Sequence, residues 1–526
     1  MSLFKNEVGR PTNKTLKVRF ILRFVVILLI VVGIFGGVYF LNNKSEEKVT
    51  TSKKEVSSEY TLTGNNLNDF DLYFMQLENN EKNMVYSPLS IKYALGMLEE
   101  GAKGETKEQI SSIIGAYKFN KYINSNNMAF ANAMFIKDIF KKQVEKTYIN
   151  NLKNKYNADV IYDSFKTPNV VNNWVSNKTL KLINNILEET PENDFMLVNA
   201  LAIDMEWVNR IRSEEEFYSV SYKHRDFMTH IPPFTALGHR QLKFEGNEKG
   251  VKSIEIGAVA NKYDIINELG EDNIRKEVTE KYQAWLDQGA PNGCANTPSE
   301  EPTAKEFVDE YMDELSKGYN DISSSTDFEF YDGEDVKLFA KDLKTYNDTT
   351  LQYIGIMPTK DNLKTYIENA NANRINELIG NLKPIELNSF NDRILTHITG
   401  YIPVFNFDYS LDLNKDLIEL GITKIFDSTK ADLSNLSNGA YIDKPIHKAT
   451  IDFSNDGIKA AAVTIGGGLG DGACGFDYIY KMPIEEINLT FDKPYIFLIR
   501  DKDSAEVWFA GAVYAPTEYT PDEASF

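Results

Sequence analysis

Two strand-like segments, HKATIDF (His447–Phe453) and YIFLIR (Tyr495–Arg500), bracket a stretch that cannot pack as an ordinary core element. GIKAAAVTIGGGLGDGACG, residues Gly457–Gly475, has no aromatic side chain. It carries three consecutive alanines at Ala460, Ala461 and Ala462, and is rich in glycine from Gly466 onward. Its apolar surface is small and its glycines leave the backbone permissive. A long loop held by sheet at both ends is uncommon in a compact domain and is usually functional. The small side chains add a second property. A segment of this composition slides between two strands of an existing sheet without clashing, forming ladder hydrogen bonds as it goes.

The flanking residues are similar to those of a known family. Asn455-Asp456-Gly457-Ile458-Lys459-Ala460-Ala461-Ala462-Val463-Thr464 resembles the serpin hinge, with its glycine, alanine run and downstream threonine. His447-Lys448-Ala449 matches the HKA of the preceding serpin strand. FDKPYIFLI (Phe491–Ile499) resembles the family signature near the C-terminus, with Tyr495 where phenylalanine is usual. NMVYSPLSIKYALGMLEEGAKGETKEQI (Asn83–Ile110), MLVNALAIDMEW (Met196–Trp207), NWVSNKT (Asn173–Thr179) and the stretch from Leu420 to Ser434 extend the likeness over residues 62–518. The resemblance implies an α+β serpin fold with three β-sheets, a helical half and an exposed reactive centre loop.

Composition narrows the function. The formal charge of −20 excludes a nucleic-acid partner, whose phosphates demand a basic face. Residues 1–43 carry a net +5, so the remainder is near −25, a charge that ordinary solubility explains. FVVILLIVVGIFGGVYFL (Phe24–Leu41) holds no charge over 18 residues, enough for one membrane-spanning helix. Six Lys and Arg residues precede it, placing residues 1–23 in the cytoplasm and everything beyond about Asn42 outside. No small-residue cleavage site follows, so residues 24–41 read as an uncleaved signal-anchor in the cell membrane. Residues 42–61 form a polar linker and 519–526 a C-terminal tail. The Lys-, Asn- and Ile-rich composition points to a bacterial source. A monomer is expected. Cys294 and Cys474 are the only cysteines. The outer compartment permits a disulfide between them, but two cysteines do not define one.

Periodicity predicts helices over Asn66–Leu77, from Ser87-Pro88 onward, over Val144–Tyr156 and over Val170–Leu187, and strands over Met128–Ile136 and Phe195–Ile203. Residues 212–335 break the family pattern and read as an expanded or inserted region of unknown fold.

No GxSxG, HExxH or P-loop spacing gives the chain chemistry of its own, so neither enzymatic activity nor a cofactor is expected. His224, His230 and His239 have irregular gaps and no accompanying carboxylates, and no metal site is assigned. Gly470–Gly475 satisfies GxGxxG, but the strand-like FDYIY after it makes this a chance match. Ser87, Ser90, Asn199 and His447 resemble a nucleophile set only superficially. The serpin likeness implies instead a buried polar cluster where the central sheet opens, with Trp207 covering the top of the opening.

The same likeness implies a suicide substrate for a serine or cysteine protease. The loop is cleaved, its N-terminal half enters the sheet, and the acylated enzyme is dragged across the molecule. A displacement of about 1 Å already costs a catalytic site about a hundredfold in rate. The hinge residues that enter, Gly457 to Thr464, are mostly small, with Ile458 and Lys459 as departures from the family pattern. Two positions compete for the scissile bond. Counting from the hinge gives Asp471-Gly472, and counting back from Pro494 gives Lys481-Met482 or Met482-Pro483. A bond before proline is a poor substrate, and the sequence leans to Lys481. The alternative is a non-inhibitory surface binding module, with residues 212–335 as its recognition element.

Overall fold

Capping chemistry sets where the helices begin. In the computed structural model, which describes residues 58–190, 194–208, 240–259, 266, 270–287, 303–316, 328–384, 395–442, 445, 447–454, 457–458 and 484–520, Ser87 accepts the Ser90 N–H and Pro88 occupies the first helical position. In chain order the helices are α1 (Asp69–Leu77), α2 (Pro88–Gly101), α3 (Gly104–Ile114), α4 (Lys146–Tyr156) and α5 (Asn169–Lys178). They continue as α6 (Glu271–Asp287), α7 (Ala304–Ser316), α8 (Leu363–Asn369), α9 (Ala372–Gly380) and α10 (Leu413–Leu420). Helix α2 is apolar nearly all round and buried along most of its length, which makes it the central element of the core.

The strands are β1 (Met84–Tyr86), β2 (Met128–Lys137), β3 (Asp159–Asp163), β4 (Phe195–Ile203), β5 (Met205–Glu206), β6 (Arg240–Phe244), β7 (Asn247–Val259), β8 (Phe328–Asp332) and β9 (Val336–Asp342). They are followed by β10 (Leu351–Pro358), β11 (Lys383–Pro384), β12 (Leu395–Pro403), β13 (Phe405–Leu411), β14 (His447–Phe453), β15 (Gly457–Ile458), β16 (Ile484–Asn488), β17 (Tyr495–Asp501) and β18 (Val507–Val513). A seven-stranded sheet runs β1-β18-β17-β10-β9-β8-β11, and a four-stranded one β16-β12-β7-β6. Two further sheets, β13-β14-β15-β5 and β3-β2-β4, meet where β4 continues into β5 across Asp204. The Asp204 N–H donates to the Asn127 carbonyl at 2.7 Å, so the chain stays in the β2 register through this junction.

One sequence expectation changes. The helix expected over Val170–Leu187 stops at Lys178, because the Thr179 hydroxyl donates to the Val175 carbonyl and accepts the Ile183 N–H, while Leu180 and Lys181 take positive φ. The region expected to be expanded, 212–335, is described only in part. Strands β6, β7 and β8 within it are members of the sheets, and helices α6 and α7 lie between β7 and β8. These two helices pack on each other, with the Tyr282 and Phe307 rings stacked at 4.1 Å and Arg275 bonded to Asp309 at 2.7 Å.

No helix among the described residues is long and apolar enough to cross a membrane. Residues 1–23, 24–41, most of the linker and the last six residues lie outside them.

Candidate functional site

Strand β14 alternates buried and half-buried residues, with His447, Ala449, Ile451 and Phe453 facing the core. It is laddered to β13 at seven positions, from Phe405 opposite Phe453 to Leu411 opposite His447. Strand β4 is laddered to β2 at nine, from Met128 opposite Ile203 to Ile136 opposite Phe195. Between β4 and β14 the described residues contain no ladder pair. A cavity of about 280 Å³ lies at this seam, lined by Ile203 of β4, Thr450, Ile451 and Asp452 of β14, and Ile499 and Phe509 from the sheet beneath.

Among the described residues the seam is bridged only at one end. Strand β15 sits between β5 and β14, with Gly457 opposite Glu206, and Ile458 opposite both Met205 and Phe453. Gly457 is required there, because a Cβ on it would overlap the Met205 carbonyl oxygen. The Ser454 N–H and hydroxyl both donate to the Gly457 carbonyl, at 3.0 and 3.1 Å. Trp207 closes this end: it is buried, its Nε1–H donates to the Ser454 carbonyl at 3.0 Å, and its ring packs edge-on to Phe453 and Tyr353. The Glu206 carboxylate pairs with Lys344 on the outer surface.

Beneath the seam the structure brings together three of the four residues expected to form a polar cluster. The Ser87 N–H donates to His447 Nε2 at 3.0 Å, and the Ser90 N–H donates to Ser87 Oγ at 3.1 Å. Accepting at Nε2 requires a neutral ring there, and burial pushes the imidazole down to about 4. Asn199 is not part of that set. Its amide donates to Asn132 on β2, whose own amide donates to the Tyr156 carbonyl at 2.9 Å. Lys459, Ala460, Ala461, Ala462, Val463, Thr464, Asp471, Gly472, Lys481 and Met482 lie outside the described residues, as do both cysteines and His224, His230 and His239. Among the described residues no group of three or more His, Cys, Asp or Glu side chains is placed to hold a metal ion.

The described part of the site is thus an unladdered seam between β4 and β14, Gly457 at one end of it and His447 bonded to the start of α2. The family model described as serpin, serine protease inhibitor, matches residues 65–246 and 312–516. The chain belongs to the serpin family. It is similar to a serpin-like protein of Methanosarcina acetivorans, 24% identical over 87% of this chain and 87% of that protein. The leukocyte elastase inhibitor of Xenopus tropicalis is also 24% identical, over 85% of this chain and 97% of its own length. Among solved structures, the native state of the thermophilic serpin tengpin superposes with a TM-score of 0.55 at 20% identity, covering 85% of this chain and 92% of that one. The stretch the serpin model leaves unmatched, 247–311, holds β7, α6 and the first part of α7.

The serpin core also holds a charged group that sequence reasoning missed. Lys92 of α2 pairs with Asp71 of α1 at 2.6 Å, both fully buried. Nearby Glu506 accepts the hydroxyls of Tyr117 and Tyr122. Burial raises both carboxyls above their ordinary range, Lys92 opposing the shift in each. A lysine within an otherwise apolar helix face was the available signal. Its partners, 21 residues earlier and more than 400 later, were not.

Proposed function

We propose that this serpin is a suicide substrate of a serine or cysteine protease, held on the outer face of the cell membrane by residues 24–41. The observation that carries this reading is the seam: β4 and β14 share no ladder, and two hinge residues already lie between β5 and β14. Cleavage frees the segment after Ile458 to continue down that seam, replacing missing ladder partners with its own N–H and C=O groups.

The register bears on the scissile bond. Continuing from Ile458 opposite Met205, one residue for one, residue 468 comes opposite Phe195, where β4 ends. A bond after Asp471 would leave three residues beyond that end, so the acylated enzyme would be drawn hard against the far pole. A bond after Lys481 would leave thirteen. Extended chain spans about 3.3–3.6 Å per residue, so roughly 40 Å of slack would spare the enzyme any distortion. The geometry therefore favours Asp471-Gly472 over the Lys481-Met482 preferred on sequence alone, and a protease that cleaves after acidic residues as the target.

The test is incubation of the full chain with acid-directed, trypsin-like, chymotrypsin-like and papain-like proteases. The expected result is an adduct that survives denaturant, with release of a peptide beginning at Gly472. Cleavage without an adduct against every enzyme contradicts inhibition and leaves the binding-module reading, with α6 and α7 as its surface. An adduct with a peptide beginning at Met482 retains inhibition and overturns the register argument.

A further inference from the structure

Lys92 is the one charged side chain in the stretch of α2 from Pro88 to Leu98, and it is fully buried, as is Asp71 of α1. Their facing atoms, Lys92 Nζ and Asp71 Oδ1, are 2.6 Å apart, and neither has a further hydrogen-bond partner among the described residues. A carboxyl oxygen is bonded to its carbon at about 1.2 Å, so Nζ lies at most about 3.8 Å from Asp71 Cγ. That is near the separation of about 3–3.5 Å from which an oriented nucleophile reacts, with effective molarities of roughly 10⁵–10⁸ M. We propose that Lys92 and Asp71 condense to an intramolecular amide that cross-links α2 to α1.

The two oxygens of Asp71 divide the work. Oδ2 accepts the Asn68 N–H at 2.9 Å. It stays as the amide oxygen, and the negative charge it carries in the tetrahedral stage is met by that backbone donor. Oδ1 faces the ammonium and takes a proton from it, which leaves a neutral amine beside a carboxylic acid. The amine lone pair then forms the Nζ–Cγ bond. Oδ1 departs with its bonding pair, collects a second proton from the nitrogen and leaves as water. One water is released for each amide formed, and no oxidant or further reactant enters.

Burial supplies the drive. In water an ammonium and a carboxylate resist condensation because both ions are hydrated, and in this core that hydration has already been given up. Forming the amide removes both charges from a site closed to solvent. Burial raises the Asp71 carboxyl above its ordinary range, with Lys92 opposing the shift, and so favours the acid form that the reaction needs. Glu506, another fully buried acid, has its two oxygens engaged by the hydroxyls of Tyr117 and Tyr122. The Tyr117 ring lies 5.3 Å from Nζ and covers a further side of the amine. The Tyr86 hydroxyl donates to the Asp71 backbone carbonyl at 2.5 Å, fixing the turn of α1 that carries the carboxyl. The bond closes a loop across β1 and ties α1 to the helix whose first residues hold His447. Nothing in this chemistry requires the reactive loop to insert.

The test is tryptic digestion of the purified full chain in denaturant, read by mass spectrometry. Trypsin cuts after Lys54, Lys82, Lys92 and Lys103 in an unlinked chain, giving separate peptides 55–82, 83–92 and 93–103. The expected result is loss of all three in favour of one branched species, 55–82 joined to 83–103, lighter than the sum of its parts by one water more than the uncut bond at Lys92 explains. Fragmentation should place the branch at Asp71 and Lys92. The branched species should vanish in Lys92→Arg and in Asp71→Ala, and the parent spectrum decides the matter by itself if either variant fails to fold. Separate, unmodified peptides from the parent, a branch at other residues, or a branched species that persists in Lys92→Arg overturns the cross-link.

Discussion

The two edges of β4 belong to the same nine residues and have opposite fates. Toward β2 every residue from Phe195 to Ile203 has a ladder partner. Toward β14 the described residues supply none, and only the two residues of β15 bridge the continuation beyond Asp204. A strand edge without partners normally recruits another strand. On the function proposed above, the cavity at the seam and the small residues of Ala460–Ala462 and Gly466–Gly468 make the chain itself that recruit. The contrast teaches that stability in this serpin is unevenly placed. The β2 edge is finished, and on the proposed mechanism the β14 edge holds a gain in reserve behind a kinetic barrier.

The comparison breaks most directly through residues that serve one edge or floor only. Lys92 ties α2, the floor beneath both edges, to α1. Removing one partner of a buried ion pair costs about 3–5 kcal/mol, so Lys92→Met should lower the denaturant midpoint by that equivalent while leaving the slope unchanged. An unchanged midpoint would mean that the pair is not holding the floor.

His447 sharpens the comparison through pH. Its folded value lies near 4 against an unfolded value of 6.5, so its contribution is present above 6.5 and is lost as pH falls toward 4. That is on the order of 3 kcal/mol at 1.36 kcal/mol per unit. His447→Gln should flatten the acid side of the thermal profile and leave the neutral side alone.

Gly457→Ala addresses the mouth of the seam. The new methyl overlaps the Met205 carbonyl, and overpacking of this kind costs about 1–3 kcal/mol. With about 1.4 kcal/mol per tenfold, the trapped fraction should fall about tenfold or more in favour of cleaved, unreacted chain, as read on a denaturing gel. Ser87→Ala is the smallest of the four. Loss of the cap on α2 costs about 1 kcal/mol, visible as a small drop in thermal midpoint with trapping retained.

Much of this architecture was legible in the chain, because its signals are local. Ser87-Pro88 announces α2, and the long apolar run Phe195–Ile203, broken only by Asn199, announces a strand buried on both faces. What was not legible depends on distant partners. The end of α5 is set by Thr179 bonding back to Val175 rather than by any loss of helical periodicity. Asn199 bonds to Asn132, 67 residues away, rather than to the Ser87, Ser90 and His447 set it was expected to join. Lys92 looks like an ordinary charged residue until α1 is packed against it. The choice of scissile bond proposed above rests on a register, which exists only once β5, β14 and β15 are paired.

The central claim is that the seam between β4 and β14 is a vacancy for the chain's own loop. The most direct measurement is the thermal midpoint of the full chain before and after limited cleavage within residues 459–483 by a protease that is then inactivated. Entry of the freed strand should raise the midpoint well above that of the intact chain. A cleaved chain that melts at or below the intact midpoint would contradict the account.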